Sequence, residues 1–418
     1  MIKVKPILIL SIASLLYIYE FLLRVIISVV SDFLLVDLQL SIASLGFLSS
    51  LFYTSYTFMQ IPAGLLSDQF GPRRILTTAM LTCALSTLLF SLSNSLSLAG
   101  ASRLMLGFGA SFAYCCPLLI AKHWFPEKRF ALIGGCIQTL GALGAMIGNE
   151  PIAVMTEYLG WRDTMEIIAL FGILFAAIMW VIVQDKPHHK QEQHITPHQI
   201  KTLTALKRVF QLKQNWVAAI LGFCCWAPMT IVAELWGRTF ITTHFHFNLQ
   251  QSALMVSWIW IGVAVGGPLM GWLSNYIHSR KKALLLGYVL CLLSTLVLVY
   301  QPGISQIVIM ASLFIFGLAC ATQCVTFGVI SDINEKGIIG TAIGFNNMAV
   351  ISGGIFLQPI VSVLLHHASL SHFENKVFIP SDFQYAFYVI PIVSCIGIFI
   401  TTFCLKESLQ SLPEDETV

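Results

Sequence analysis

The sequence predicts an all-α integral membrane protein, twelve transmembrane helices arranged as two pseudo-symmetric halves of six. Three observations carry that prediction. Charge is scarce: 10% of the 418 residues are Asp, Glu, Lys or Arg, against about 25% in an average soluble domain. With 57% hydrophobic residues and a mean hydropathy of +0.81, lipid must replace water around most of the chain. Apolar runs of membrane length recur twelve times, and similar segments recur half a chain apart.

Crossing a hydrocarbon core of about 30 Å takes about 20 helical residues at about 1.5 Å each. The first six expected spans are 7 to 31, 42 to 66, 75 to 93, 97 to 121, 130 to 155 and 163 to 184. The other six are 215 to 240, 251 to 275, 283 to 300, 304 to 329, 338 to 365 and 383 to 405. The first run is too long for a signal-peptide core and lacks a small-residue cleavage site, so it is expected to stay as a span. Residues 1–184 then form the first half, 185–214 a linker, 215–405 the second half and 406–418 a tail. The linker holds His188, His189, Lys190, Pro197, Lys207, Arg208 and Lys213, and with no Cys or fixed His spacing it reads as a solvated loop without metal.

Orientation follows from the cations, which collect in cytoplasmic loops. With the N-terminus inside, 18 of the 23 Lys and Arg fall in inner segments, so both termini are expected in the cytoplasm. Eleven cysteines, including Cys115-Cys116 and Cys224-Cys225, lie inside apolar runs and read as core thiols without disulfides. The net charge is only +3, and no nucleic-acid partner is expected. No Asn-x-Ser/Thr sequon occurs, which suits a bacterial inner membrane. Nor does any nucleophile elbow, Walker sequence or HExxH, so the chain reads as no enzyme, with no cofactor, and any transport must draw on a gradient.

Gly64-Leu-Leu-Ser-Asp68-Gln-Phe-Gly71-Pro-Arg73-Arg74 joins spans two and three, and Gly271-Trp-Leu-Ser-Asn275 leads to Arg280-Lys281 207 residues later. Glu150-Pro151-Ile152 matches Gln358-Pro359-Ile360 at an offset of 208, while Glu20 to Arg24 and Glu234 to Arg238 share the spacing Glu-x-x-x-Arg at 214. Two parallel six-helix repeats are the simplest account, and that geometry places a substrate site at their interface. The loop Gly64, Asp68, Gly71, Arg73, Arg74 resembles the signature of the major facilitator superfamily, with Gln69 and Pro72 at positions that are often basic. Arg103-Leu-Met-Leu-Gly107 in span four and the glycines 134, 135, 141, 144 and 148 before Pro151 are similar to two further signatures of that superfamily. The resemblance implies that Gly64, Asp68, Gly71, Arg73 and Arg74 gate the inner face, with the Asp68 carboxylate against helix N-termini and the two arginines. It also implies that span one lines the transport path.

Leaving aside Asp163 and Glu166 at the outer mouth of span six, six ionisable side chains fall inside the expected spans: Glu20, Arg24, Arg103, Glu150, Glu234 and Arg238. A central charge costs roughly 2.5 to 3.5 kcal/mol on insertion scales, so each needs a partner or water. Arg24, Arg103 and Glu150 share one depth, about 8 to 10 Å below the outer surface, with Glu20 a turn deeper on Arg24's face. These four are expected to cluster, to bind substrate or to hold the first half together, whereas Arg238 lies near enough to the surface to snorkel. Tyr53, Tyr56 and Gln60 on span two, Trp226, Thr230 and Glu234 on span seven, Gln323 and Thr326 on span ten and Asn346 with Asn347 on span eleven recur at helical spacing as polar walls.

The expected function is secondary transport of a small anionic or zwitterionic solute by a monomer that rocks its two halves. Burial favours the neutral form of a carboxyl and a neighbouring Arg the charged form, so a proton is the expected coupling ion. Tyr19 to Arg24 and Met59-Gln60-Ile61-Pro62 look like the bacterial anion and sugar-phosphate permease branch, and also like bacterial relatives of dipeptide carriers. A dipeptide or amino-acid carrier, a siderophore or drug exporter and a transporter-like membrane sensor are the alternatives.

Overall fold

The computed structural model describes residues 4–126, 130–185, 202–301, 303–335, 337–370 and 378–408. Every regular element among them is helical. Placed end to end, the helices form twelve rods. Ten qualify as spans by length and apolarity: Lys5–Asp37, Pro72–Ser91, Leu96–Trp124, Trp161–Ile182, Lys213–Phe245, Leu249–Tyr276, Arg280–Tyr300, Gln306–Ile333, Ile339–Ser369 and Pro380–Phe403. Helices Ile42–Phe70 and Phe130–Leu159, of 29 and 30 residues, are the second and fifth rods. Short connections make successive rods antiparallel, so the chain starts and ends on one face, called here the terminal face.

Polar residues set the rod ends. Ser41, Ser95 and Ser279 accept from the backbone N–H three residues on, and Asn248 closes a reciprocal cap with Gln251. The first rod runs on past the expected stop at 31 to Asp37. The expected linker contains a helix, Thr202–Gln211, whose Ala205 and Val209 are buried; the linker histidines His188 and His189, Lys190 and Pro197 lie outside the described residues.

Glycines let the rods touch. A Cβ at Gly144 would collide with the Ile18 carbonyl, so the fifth rod lies backbone to backbone on the first, the small-residue packing that membranes favour where lipid gives helices no hydrophobic drive to associate. The halves meet where the second rod packs on the eleventh, the fifth on the eighth and the first on the seventh. Tyr53 fills the space over Gly354, and Gly46 faces Ser362.

The two loops that repeat in sequence are built alike on the terminal face. Gly71, at φ 82°, turns the chain from the second rod into the third, and Asp185 just after the sixth rod accepts from the Arg73 N–H at 2.6 Å. In the second half Glu407, just after the twelfth rod, accepts from the Arg280 N–H at 2.9 Å and from the Ser279 hydroxyl. In both, a carboxylate from the end of a half sits on a helix N-terminus, where unpaired N–H groups and the helix dipole favour negative charge.

Candidate functional site

On the first rod Glu20, Arg24, Ser28 and Asp32 stand four residues apart, one above the other. Arg24 is 3% exposed and Glu20 fully buried. The Arg24 Nε donates to Glu20 Oε1 at 2.8 Å, and Nη2 donates to the same oxygen. Its remaining nitrogen, Nη1, faces Glu234 Oε1 of the seventh rod at 3.9 Å. The other Glu234 oxygen accepts from the Tyr53 hydroxyl. Rings of Phe21, Phe52 and Tyr56 lie 4.3, 5.5 and 5.1 Å from the Arg24 guanidinium carbon. One guanidinium thus stands between two carboxylates from opposite halves, a formal charge of minus one in a buried place. Glu20 Oε2 and Glu234 Oε1 have no hydrogen-bond donor among the described residues. Chemically the group can hold a proton, and its arginine fork can take a carboxylate, sulfonate or phosphate oxygen in place of an internal acid.

The spacing Glu-x-x-x-Arg occurs twice with different outcomes. Glu20 and Arg24 pair along their own helix. Glu234 lies in a π-helical turn, Val232–Trp236, and no ion pair joins it to Arg238. Gln358 of the eleventh rod donates to the Thr230 carbonyl at 2.8 Å beside that widened turn. Both charges of the seventh rod reach across to the first instead. Arg238 donates to the Ser28 carbonyl at 2.7 Å, to Ser31 Oγ at 2.8 Å and to Asp32 Oδ2 at 2.8 Å. Arg238 itself is 2% exposed, and the Asp32 carboxylate it reaches on the lengthened first rod is 58% exposed.

Neutral polar groups come mainly from the second half. Asn346 donates to Thr326 Oγ1 at 2.9 Å, and Asn347 donates across the halves to Gln60 Oε1 at 2.6 Å. Trp226 and Trp260 keep indole N–H groups, and Gln323, Asn346 and Gln358 keep carbonyl oxygens, without partners among the described residues. Trp260 meets Phe21 edge-on at 5.6 Å, which puts it beside the charged group.

Two expected members are not brought into that group. Arg103 lies 5.0 Å from the Phe52 ring, donates to the Leu23 carbonyl at 3.2 Å, and lines a small void with Ser86, Thr87, Ser102 and Met165 inside the first half. Glu150 is half-buried, and the fifth rod meets the first through Gly141, Gly144 and Gly148; two residues on is about 200° round a helix, the opposite side. Tyr56 and Gln60 stand as expected along the second rod, Gln60 donating to the Tyr56 carbonyl at 3.3 Å. Of the expected gate, nothing crowds Gly64, Arg74 is exposed, and Arg73 lies over Trp180 at 4.6 Å while donating to its carbonyl. The Asp68 side chain lies outside the described residues; the carboxylate found on the helix N-terminus is Asp185.

Asp32, Asp185, Trp260 and Gln358 are not among the site residues that the sequence marks, Gln358 standing out there only in the repeat. Asp32 was legible as the third member of the series 24, 28, 32; the others needed the tertiary contacts.

The family model of the Major Facilitator Superfamily matches residues 12–240 and 235–417. The chain belongs to the major facilitator superfamily. It is a transporter embedded in a membrane, not an enzyme. Among its relatives are a probable sulfoacetate transporter of Cupriavidus necator, 24% identical over 84% of this chain and 85% of that one, and the hexuronate transporter of Bacillus subtilis, 23% identical over 78% and 80%. A probable galactarate/D-glucarate transporter of Escherichia coli is 23% identical over 78% and 82%. The fold is also that of a bacterial homologue of the human lysosomal transporter Spinster, solved inward-facing and unoccupied: TM-score 0.79 at 16% identity, with 96% of each chain covered.

Proposed function

We propose that this transporter carries a small organic anion with hydroxyl groups, together with a proton, into a bacterial cell by alternating access, working as a monomer with both termini in the cytoplasm. The observation that carries the reading is Arg24, buried at the interface of the halves and shared by Glu20 and Glu234. A substrate anion competes with Glu234 for Nη1, and the carboxylate it displaces takes up the proton, so anion and proton enter together, a monoanion adding no net charge to the buried site and a dianion adding one. The indole and amide groups of the second half offer donors and acceptors to substrate hydroxyls. The named relatives, with sulfoacetate, hexuronate and galactarate or D-glucarate in their names, support an anionic cargo. The 18 cations that the sequence assigns to inner segments support the orientation.

Uptake of labelled glucuronate, glucarate, sulfoacetate and a dipeptide into proteoliposomes, with the pH gradient varied, tests this. At least one of the three anions is expected to enter, faster from acidic than from alkaline medium, with that dependence flattened in Glu20→Gln or Glu234→Gln. Uptake of the dipeptide alone, or pH-dependent uptake unchanged in both variants, would overturn the reading.

A further inference from the structure

Away from the first and last turns of the rods, the second half carries one acid, Glu234, and one guanidinium, Arg238, while the first half carries two guanidiniums, Arg24 and Arg103. Arg238 is committed to the first rod, where it donates to the Ser28 carbonyl, Ser31 Oγ and Asp32 Oδ2. Arg103 is 2% exposed and donates to the Leu23 carbonyl. The void it lines is about 10 Å³, room for one water. The hydroxyls around that void, Ser86, Thr87 and Ser102, donate to carbonyls of their own helices. A carboxylate of the cargo has no room there.

Arg24 remains, and most of it is taken. Nε and Nη2 donate to Glu20, which leaves Nη1 opposite Glu234 at 3.9 Å. The buried polar atoms that the second half leaves without partners, among the described residues, include the indole N–H groups of Trp226 and Trp260 and the carbonyl oxygens of Asn346 and Gln358. Hydrogen bonds fix which way both amides point. Gln358 donates to the Thr230 carbonyl, which can only accept. Thr326 gives its hydrogen to the Gln323 carbonyl and so accepts from Asn346. Both amides therefore keep their oxygen ends, which welcome a hydroxyl hydrogen and repel an anionic oxygen.

We infer that the cargo is a monoanion, with one anionic group at Arg24 Nη1 and a neutral, hydroxylated remainder. The inference rests on the anion-and-proton reading of the same site and narrows it. With the proton on the displaced Glu234, a monoanion leaves the buried group at the charge it had when empty. A dianion brings a second charge into a bundle that holds no uncommitted cation for it, and an unmatched buried charge is costly. Hydroxy acids with one acidic group fit this site; those with a second carboxylate in place of a neutral end do not.

Isothermal titration of the detergent-purified protein at neutral pH with two pairs of compounds tests this. Glucuronate and glucarate share one skeleton, as do isethionate and sulfoacetate, and in each pair the second compound carries one more carboxylate. In whichever pair binds, the monoanion is expected to bind about tenfold more tightly or more, the least that an unmatched buried charge should cost. Arg103→Gln is expected to keep the wild-type ratio, since that side chain does not meet the cargo. A dianion that binds as tightly as its partner, or a ratio that widens in Arg103→Gln, would overturn the inference and leave anion transport standing. Binding of none of the four would overturn both.

Discussion

Arg24 donates two nitrogens to Glu20 and presents the third to Glu234, and that division of one guanidinium makes a prediction at the scale of a single residue. Arg24→Ala is expected to weaken binding of the transported anion by about 2 kcal/mol or more, roughly thirtyfold, the range of a hydrogen bond to a charged group. Arg24→Lys is expected not to restore it, because lysine offers one compact charge where the planar fork serves an internal acid and an external one together. Isothermal titration of the folded variants, with the Glu20→Gln/Arg24→Ala double variant beside them, checks this. Native affinity in Arg24→Ala would make the pair purely structural. The residues of this group were half legible. Glu20 and Arg24 announce themselves as charges one turn apart in an apolar run, and Glu234 as an acid in another. Depth alone could not exclude Arg103 and Glu150, since a residue's height in the membrane is readable from its distance to the span ends while its azimuth depends on which helix faces which.

At the scale of the element, the rods were legible because membrane thickness fixes their length, and their ends erred where polar residues find partners inside the protein. The first rod passes Ser31 and Asp32, which look like a stop in sequence, and both accept from Arg238 of the seventh rod. The helix Thr202–Gln211 is too short and too amphipathic to stand out as a span, and its buried Ala205 and Val209 face a surface that only the folded bundle supplies. The glycines of the fifth rod were read as a signature, and their physical content is contact with the first. Gly144→Val is expected to destabilise the protein by about 1 to 3 kcal/mol, as overpacking a close backbone contact does. Thermal unfolding in detergent should show a melting temperature lower by several degrees, whereas the same change at Gly135, where a Cβ meets nothing within 4 Å, should leave it near wild type.

For the whole molecule, the halves are joined on the side away from the terminal face by Arg238 with Asp32 and by Gln250 with Glu157 at 2.7 Å. Toward the terminal face the halves are hydrogen-bonded, among the described residues, by the amide pair Gln60 and Asn347. An ion pair with a buried arginine outweighs a pair of neutral amides. Removing it in Arg238→Ala, or in Asp32→Ala, is therefore expected to shift the balance of states by about 1 to 2 kcal/mol, roughly tenfold, toward opening on the far side. Spin labels on the far ends of the first and seventh rods should show a longer distance in both variants, with the double variant no further shifted than either single one. Unchanged distances would assign Arg238 to static packing.

The crossed pairing of the seventh rod also bears on how the chain is made. The first rod enters the bilayer with Glu20 and Arg24 already matched on its own surface, a nearly neutral cargo for the insertion machinery. The seventh emerges with an acid and a guanidinium spread apart by the π-turn, and both mates are by then waiting in the membrane on the first rod. Synthesis order therefore delivers the receptor before the ligand. A second half produced alone would insert with two uncompensated charges, whereas the two halves expressed as separate polypeptides have, in these four side chains, a reason to find each other.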